Sequence, residues 1–224
     1  MIELLYMNVT IFENAELFDK CMSLISSDRK EKIKKLTNPA PARLSLGAGI
    51  LLRLAMEKCG CADHLNNIKY GKFGKPYFEN LDFHFSLSHS GEYVICVYSD
   101  TPVGADLQRI KEKLPLHTNK ILSCEEKEYL NDQNQSDPVN LFFQLWAKKE
   151  SLIKWDGRGL RLPLHQLSFV SNNTVSNTIL FQNKKLYFHD ITILMPEYAL
   201  CICSDNEIHL DHCIEITEKF LTNY

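Results

Sequence analysis

No run in the 224 residues approaches the roughly 18 consecutive apolar residues of a membrane span. The opening stretch MIELLYMNVTIFENAELF lacks the cationic start of a secretory signal and carries acids within its apolar part. An excess of positive charge is missing too. With 25 Lys and Arg against 28 Asp and Glu, the net charge of −3 gives no field that would draw the chain onto nucleic acid. Eight cysteines occur without one C-x-x-C pair, which removes the spacing of zinc and thioredoxin-like sites. Cys201 and Cys203 alternate along an apolar segment and read as small core residues, so a reducing, cytoplasmic compartment is expected. Low-complexity segments are lacking as well. Any anion-binding function must come from a local cluster of cations.

What is there is an ordinary globular composition, 45% apolar and 24% charged, in a length that suits one large domain or two small ones. The chain also holds a faint copy of itself. Residues 83–100 read FHFSLSHSGEYVICVYSD and residues 188–205 read FHDITILMPEYALCICSD. Phe83/Phe188, His84/His189, Glu92/Glu197, Tyr93/Tyr198, Cys96/Cys201, Ser99/Ser204 and Asp100/Asp205 match without a gap. Two β-hairpins can share composition by chance, but an ungapped run at a half-chain offset points to duplication. A duplicated chain resembles a homodimer fused in sequence, with a cleft where the halves meet. The expected fold is α+β: two similar subdomains, 1–102 and 103–224, related by a pseudo-twofold axis. Each would be a small sheet packed with helices, and the active site would lie at their interface. The copies differ in the middle, where SHSG of the first has no counterpart in the LMPE region of the second, so the halves would contribute unequally.

Periodicity predicts a strand at 2–9, helices at 13–25, 28–36 and 41–59, and strands at 83–88 and 93–99 around a turn at His89–Gly91. A buried strand follows in VGADLQRI, and Ser123 with Glu126 forms a capping-box signature. After the loop NDQNQSDP comes a long helix, then strands from about 166 to 203.

On that helix Leu141, Phe142, Leu145, Trp146, Leu152 and Ile153 share one arc. Lys149 points into the arc, Glu150 sits at its edge, and Lys154 lies one turn beyond. A bland reading pairs Glu150 with Lys154 for about 0.2–0.5 kcal/mol and lets Lys149 snorkel. Taken alone, the helix favours it.

Cations gather elsewhere. RKEKIKK at 29–35 carries five cations and one acid, although such runs are usually solvated helix faces. Arg43 and Arg53 follow, GKFGKP presents Lys72 and Lys75 on a glycine-punctuated turn, and SLSHSG sets His89 between hydroxyls. Together they suit a compound with several phosphates, since charge-assisted hydrogen bonds contribute about 1.5–3 kcal/mol each. In VGADLQRI, Gly104, Asp106 and Gln108 share the face opposite Val103, Ala105 and Leu107. A carboxylate on an apolar strand needs a partner, either a structural one or, with a helical carboxylate and phosphates, magnesium. Spacing leaves both open.

As a set these motifs are recognisable. VGADLQ, and WAKKESLIK with GRGL, closely resemble the two signature segments of the surfactin-synthetase-type 4′-phosphopantetheinyl transferases. FSLSHSG and FGKP match two further segments, and SLISSDRKEKIKK looks like that family's basic N-terminal helix. The resemblance runs from about residue 23 to residue 165 and implies two similar halves with the cofactor between them. It also implies transfer of the phosphopantetheine arm of coenzyme A to a serine of an apo acyl or peptidyl carrier protein, releasing adenosine 3′,5′-bisphosphate. Carried over by position, Arg29, Lys32, Arg43, Lys75 and His89, with Ser88 beside it, would hold the 3′-phosphoadenosine end in the first subdomain. Asp106 and Glu150 would bind Mg2+ on the pyrophosphate in the second, Lys154 would reach the same phosphates, and Lys149 would help line them. Asp106, Glu150 and Lys154 would thus carry the chemistry, Glu150 also taking the serine proton. Glu126 matches an acid sometimes assigned to the site. Where the family often has a second acid two residues after the aspartate, this chain has Gln108, whose amide oxygen or a water would complete the metal site.

Two other readings compete: a coenzyme A-binding protein without transfer activity, of which Gln108 would be the symptom, and a phosphoesterase using His89. The family's carrier docks on the second half. That points to IKEKLPLHTNKIL at 110–122, whose Leu114, Leu116 and Leu122 would meet a carrier helix or sit in the core. Nucleic acid and membrane are not expected partners, and a monomer is the expected state.

Overall fold

The computed structural model describes residues 1–116, 118–132, 135–191 and 197–224. Most of the LMPE segment of the second copy therefore lies outside the described residues, as does His117 in the expected docking segment. In chain order the elements are β1 (Ile2–Asn8), α1 (Ala15–Met22), α2 (Ser27–Lys34), α3 (Pro39–Lys58), β2 (Lys69–Tyr70), β3 (Pro76–Tyr77), β4 (His84–Ser90), β5 (Tyr93–Ser99) and β6 (Val103–Arg109). There follow α4 (Thr118–Ile121), α5 (Cys124–Leu130), α6 (Pro138–Asp156), β7 (Val170–Ser171), β8 (Thr174–Val175), β9 (Thr178–Phe181), β10 (Lys184–Ile191), β11 (Tyr198–Ser204), β12 (Leu210–Glu215) and α7 (Glu218–Thr222).

The expected α+β class is borne out: small sheets packed with helices. The chain forms two units, and their limits differ from a single cut after residue 102. Unit 1 comprises Met1–Gly71, Pro76–Thr101 and His209–Tyr224; unit 2 comprises Lys72–Lys75 and Pro102–Ile208. The C-terminal segment returns to unit 1 because β12 pairs in parallel with β1.

In unit 1 the sheet order is β12-β1-β5-β4, and α3 packs against β1, β4 and β5. Helix α3 starts two residues earlier than its pattern suggests, at Pro39, where a proline needs no hydrogen-bond partner and the Asn38 side chain caps the Ala40 amide. It is buried nearly all round, and its residues Leu46, Ile50, Leu51, Ala55 and Met56 share a core with Leu5, Met7, Phe85 and Val94. Strand β4 runs on through Ser90, so the turn is Gly91–Glu92 and His89 is a strand residue opposite Val94, not a turn residue.

In unit 2 the sheet order is β6-β11-β10-β9, and α6 packs against β6, β10 and β11. Its core joins Phe142, Leu145 and Leu152 of α6 to Phe169, Phe188, Cys201 and Cys203. The sequence repeat reappears as a shared strand–helix–hairpin plan. β1 meets β5 from Ile2↔Ser99 to Asn8↔Tyr93, and β6 meets β11 from Val103↔Ser204 to Arg109↔Tyr198. The hairpin partners differ by two residues: Ser99 faces His84, whereas Ser204 faces Tyr187 and not the sequence-equivalent His189. A slip of two keeps every side chain on its face of the sheet.

Candidate active site

Helix α6 lies so close on β6 that Gly104 is the only kind of residue the contact admits. A Cβ there would stand 2.1 Å from the Ser151 carbonyl oxygen and 2.3 Å from the Trp155 amide nitrogen. Two residues along the strand, on the same face, Asp106 is buried at 3% exposure. Close packing at Gly104 sets Asp106 beside the helix turn that carries Glu150 and Lys154. Lys154 Nζ lies 2.6 Å from Asp106 Oδ1, and Gln108 Nε2 donates to Asp106 Oδ2 at 2.7 Å. The simple helical pair of Glu150 with Lys154 therefore gives way to a cross-element pair with the strand aspartate.

Glu150 is half-buried, and its carboxyl is pushed above the usual range, first by burial and then by the Asp106 charge. Lys154 and the Trp146 indole N–H oppose that shift without cancelling it. Trp146 was legible only as a core residue, although its i,i+4 spacing to Glu150 was the available signal. Two carboxylates thus share a partly buried position with one ammonium, a donor set suited to one small divalent cation. Among the described residues no group of three or more His, Cys, Asp or Glu side chains could hold a metal. Such an ion would need further oxygens from a phosphate ligand or water. Gln108 presents its N–H to Asp106; turning the amide would offer its oxygen instead.

Lys149 corrects an expectation. Its side chain is fully buried and lies 2.7 Å from Glu126 Oε2, and its Nζ donates to the carbonyls of Ile121, Leu164 and Leu167 at 2.7–2.8 Å. Glu126, also fully buried, completes the capping box at the Ser123 amide and accepts from the Phe169 amide, each at 2.9 Å. This pair ties the segments before α5 and after α6 to the helix. Lys149 and Glu126 spend their polar groups on each other and on buried backbone, which is a structural role and not the phosphate-lining one expected of Lys149. Lys148, 1% exposed, is likewise held by Asp190 at 2.6 Å and Asn177 at 2.8 Å.

Lys75 belongs to unit 2, where its Nζ donates to the Trp155 carbonyl at 2.8 Å at the end of α6. Gly157, left-handed at φ 82°, closes that helix, and a Cβ there would meet the Lys75 Cδ at 3.1 Å. Burial holds the Lys75 ammonium down, to about 8.

The remaining expected residues lie in unit 1. Arg29 runs its stem across Gly49 of α3 and donates from Nη1 to the Ser45 carbonyl at 3.2 Å; burial lowers its guanidinium. Arg43 Nη1 lies 3.3 Å from Glu13 Oε1, while its buried Nε and the buried Ser45 Oγ have no hydrogen-bond partner among the described residues. Lys32 is exposed on α2. Ser88 is buried and His89 exposed, as successive residues of β4 on opposite sheet faces. Their side chains therefore do not form one cluster.

Residues 102–203 match the family model described as the 4′-phosphopantetheinyl transferase superfamily. The chain is 31% identical to the 4′-phosphopantetheinyl transferase gsp of Aneurinibacillus migulanus over 209 residues, 91% of this chain and 86% of that protein. It is 31% identical over 191 residues to the 4′-phosphopantetheinyl transferase Sfp of Bacillus subtilis (strain 168), 83% of this chain and 84% of that one. The L-aminoadipate-semialdehyde dehydrogenase-phosphopantetheinyl transferase of Mus musculus is 28% identical over 165 residues, 66% of this chain and 53% of that protein.

Proposed function

Because the chain belongs to the 4′-phosphopantetheinyl transferase superfamily, we propose that it moves the phosphopantetheine arm of coenzyme A onto a serine hydroxyl of an apo acyl or peptidyl carrier protein, in a magnesium-dependent reaction. The expected family and enzyme class are thereby borne out, and the phosphoesterase reading falls. The observation that carries the mechanism is the meeting of Asp106, Glu150 and Lys154, with Glu150 held at a raised proton affinity. A coenzyme A-binding chain without transfer has no use for that trio.

Asp106 and Glu150, with Gln108, would hold the magnesium ion, which when bound supplies Lewis-acid stabilisation to pyrophosphate oxygens. Glu150 accepts the proton of the serine hydroxyl as it attacks the β-phosphorus, directly or through a bound water. Lys154 stabilises charge on the departing phosphate, adenosine 3′,5′-bisphosphate leaving as product. Arg29, Lys32, Arg43 and His89 are assigned to the 3′-phosphoadenosine end, and Lys75 keeps its expected role as a coenzyme A contact. Ser88, buried, would act through its strand backbone.

For carrier docking the segment 110–122 keeps Leu114 and the 95% exposed Leu116 as contacts, but Leu122 is a core residue. Among the described residues no helix is long and apolar enough to cross a membrane. We place the enzyme in the cytoplasm as a monomer.

Intact mass spectrometry of peptidyl, polyketide and fatty-acid apo carriers, incubated with the protein, coenzyme A and magnesium, tests this reading. A gain of one phosphopantetheine arm is expected, and it should be absent with EDTA or the Asp106→Ala variant. No gain on any carrier, with coenzyme A still bound, would overturn it.

A further inference from the structure

The turn Lys72–Lys75 packs with unit 2, although β2 and β3 on either side of it belong to unit 1. Backbone contacts seat its last residue: Lys75 Nζ reaches the Trp155 carbonyl at 2.8 Å, and its stem lies on Gly157. A second fixture seats the turn itself. Arg161 Cζ lies 4.9 Å from the centroid of the Phe73 ring, and Lys72 Nζ lies 5.5 Å from it. Gly157 and Gly159, at φ 82° and 66°, bend the chain after α6 so that Arg161 can come back over that ring. Neither Arg161 nor Lys72 has a carboxylate partner among the described residues, so the ring is what holds the guanidinium there.

We propose that Arg161 and Phe73 form a clasp that fixes the 72–75 turn and makes them positioning residues for Lys75, setting the affinity for coenzyme A without entering the chemical step. The affinity half rests on the function proposed above; the clasp itself does not. Losing the guanidinium or the ring would leave Lys75 tethered only by its own amine and stem.

Two measurements separate the halves. The first is competitive acetic anhydride labelling of the Lys75 amine across pH, read by peptide mass spectrometry. In the wild type Lys75, which faces Asp156 and Cys203, should titrate at about 8. In Arg161→Ala and in Phe73→Leu its midpoint should rise toward the ordinary lysine range of about 10.4, while Phe73→Tyr should keep the wild-type value. An unmoved midpoint in both variants would overturn the clasp. The second is calorimetric coenzyme A binding beside turnover. Arg161→Ala should weaken binding about two- to fivefold and leave kcat within about twofold, and the double variant should be no weaker than either single one. Unchanged binding with a shifted Lys75 midpoint would overturn the affinity half. A shifted midpoint in a protein whose wild type binds no coenzyme A would sink the proposed function and leave the clasp standing.

Discussion

Lys149 and Glu150 are neighbours in sequence, and burial treats them in opposite ways. Burial lowers the Lys149 ammonium, and Glu126 restrains that shift with a full counter-charge. Removing one partner of such a pair leaves the other charge buried alone, at a cost of about 3–5 kcal/mol. Lys149→Met should therefore lower the unfolding free energy by that amount in urea titration, and adding Glu126→Gln should recover part of it. A mild Lys149→Met with a large rise in KM for coenzyme A would return Lys149 to the phosphate site. Glu150 instead faces the like charge of Asp106. Its raised proton affinity means that ionisation weakens the fold, with the penalty present above the folded-state pKa and gone below the ordinary carboxylate value of about 4.3. Glu150→Gln should thus raise Tm near neutral pH, with the gain vanishing as pH falls to about 4, while turnover drops about 10²–10⁴-fold. A Tm that rises equally at both pH values would show that charge is not the cause.

At the level of elements, the pair α6 and β6 makes the site, and Gly104 makes the pair. Its missing side chain lets the helix backbone rest on the strand, and that contact decides where Glu150 and Lys154 stand relative to Asp106. Gly104→Ala would drive a Cβ into backbone atoms of Ser151 and Trp155, which cannot swing aside as a side-chain tip can. Overpacking of this kind costs about 1–3 kcal/mol or more. Thermal melts should show that loss, and transfer should fall much further than the melt explains, because the carboxylates separate. A stable variant of normal activity would mean that the helix can ride higher without harm to the site. Asp106 and Gln108 were legible from the strand's alternation, but the reason for the glycine beside them was not. Alternation tells which residues share a face and says nothing of how near the next layer comes.

Over the whole molecule, the sequence repeat carried most of what could be foreseen. It announced two similar halves, and the paired registers of β1 with β5 and of β6 with β11 follow from it. Strand β12 escaped notice for a physical reason: LDHCIE lies at a sheet edge, partly exposed on both faces, and shows no clean alternation. Its parallel pairing with β1, more than two hundred residues away, leaves no local trace either. The partners of the buried lysines also left no local trace: Lys148 meets the Asp190 and Asn177 side chains, and Lys149 the Glu126 carboxylate and the carbonyls of Ile121, Leu164 and Leu167. Yet the tail is heavily bonded. The Ile216 amide donates to the Tyr6 carbonyl at 2.8 Å, Lys20 Nζ donates to the Leu221 carbonyl at 3.1 Å, and Tyr224 joins Arg53 and Glu57. Ile216 and Leu221 are buried at 3% and 1% exposure, which stabilises by about 1.5–3 kcal/mol each. Ending the chain at Ile208 would remove both and open the edge of β1, a template for pairing with other chains. A domain holds only about 5–15 kcal/mol in total, so the shortened protein should lose at least a third of its urea midpoint and aggregate on mild warming. An unchanged midpoint would show that unit 1 closes its core without the returning tail.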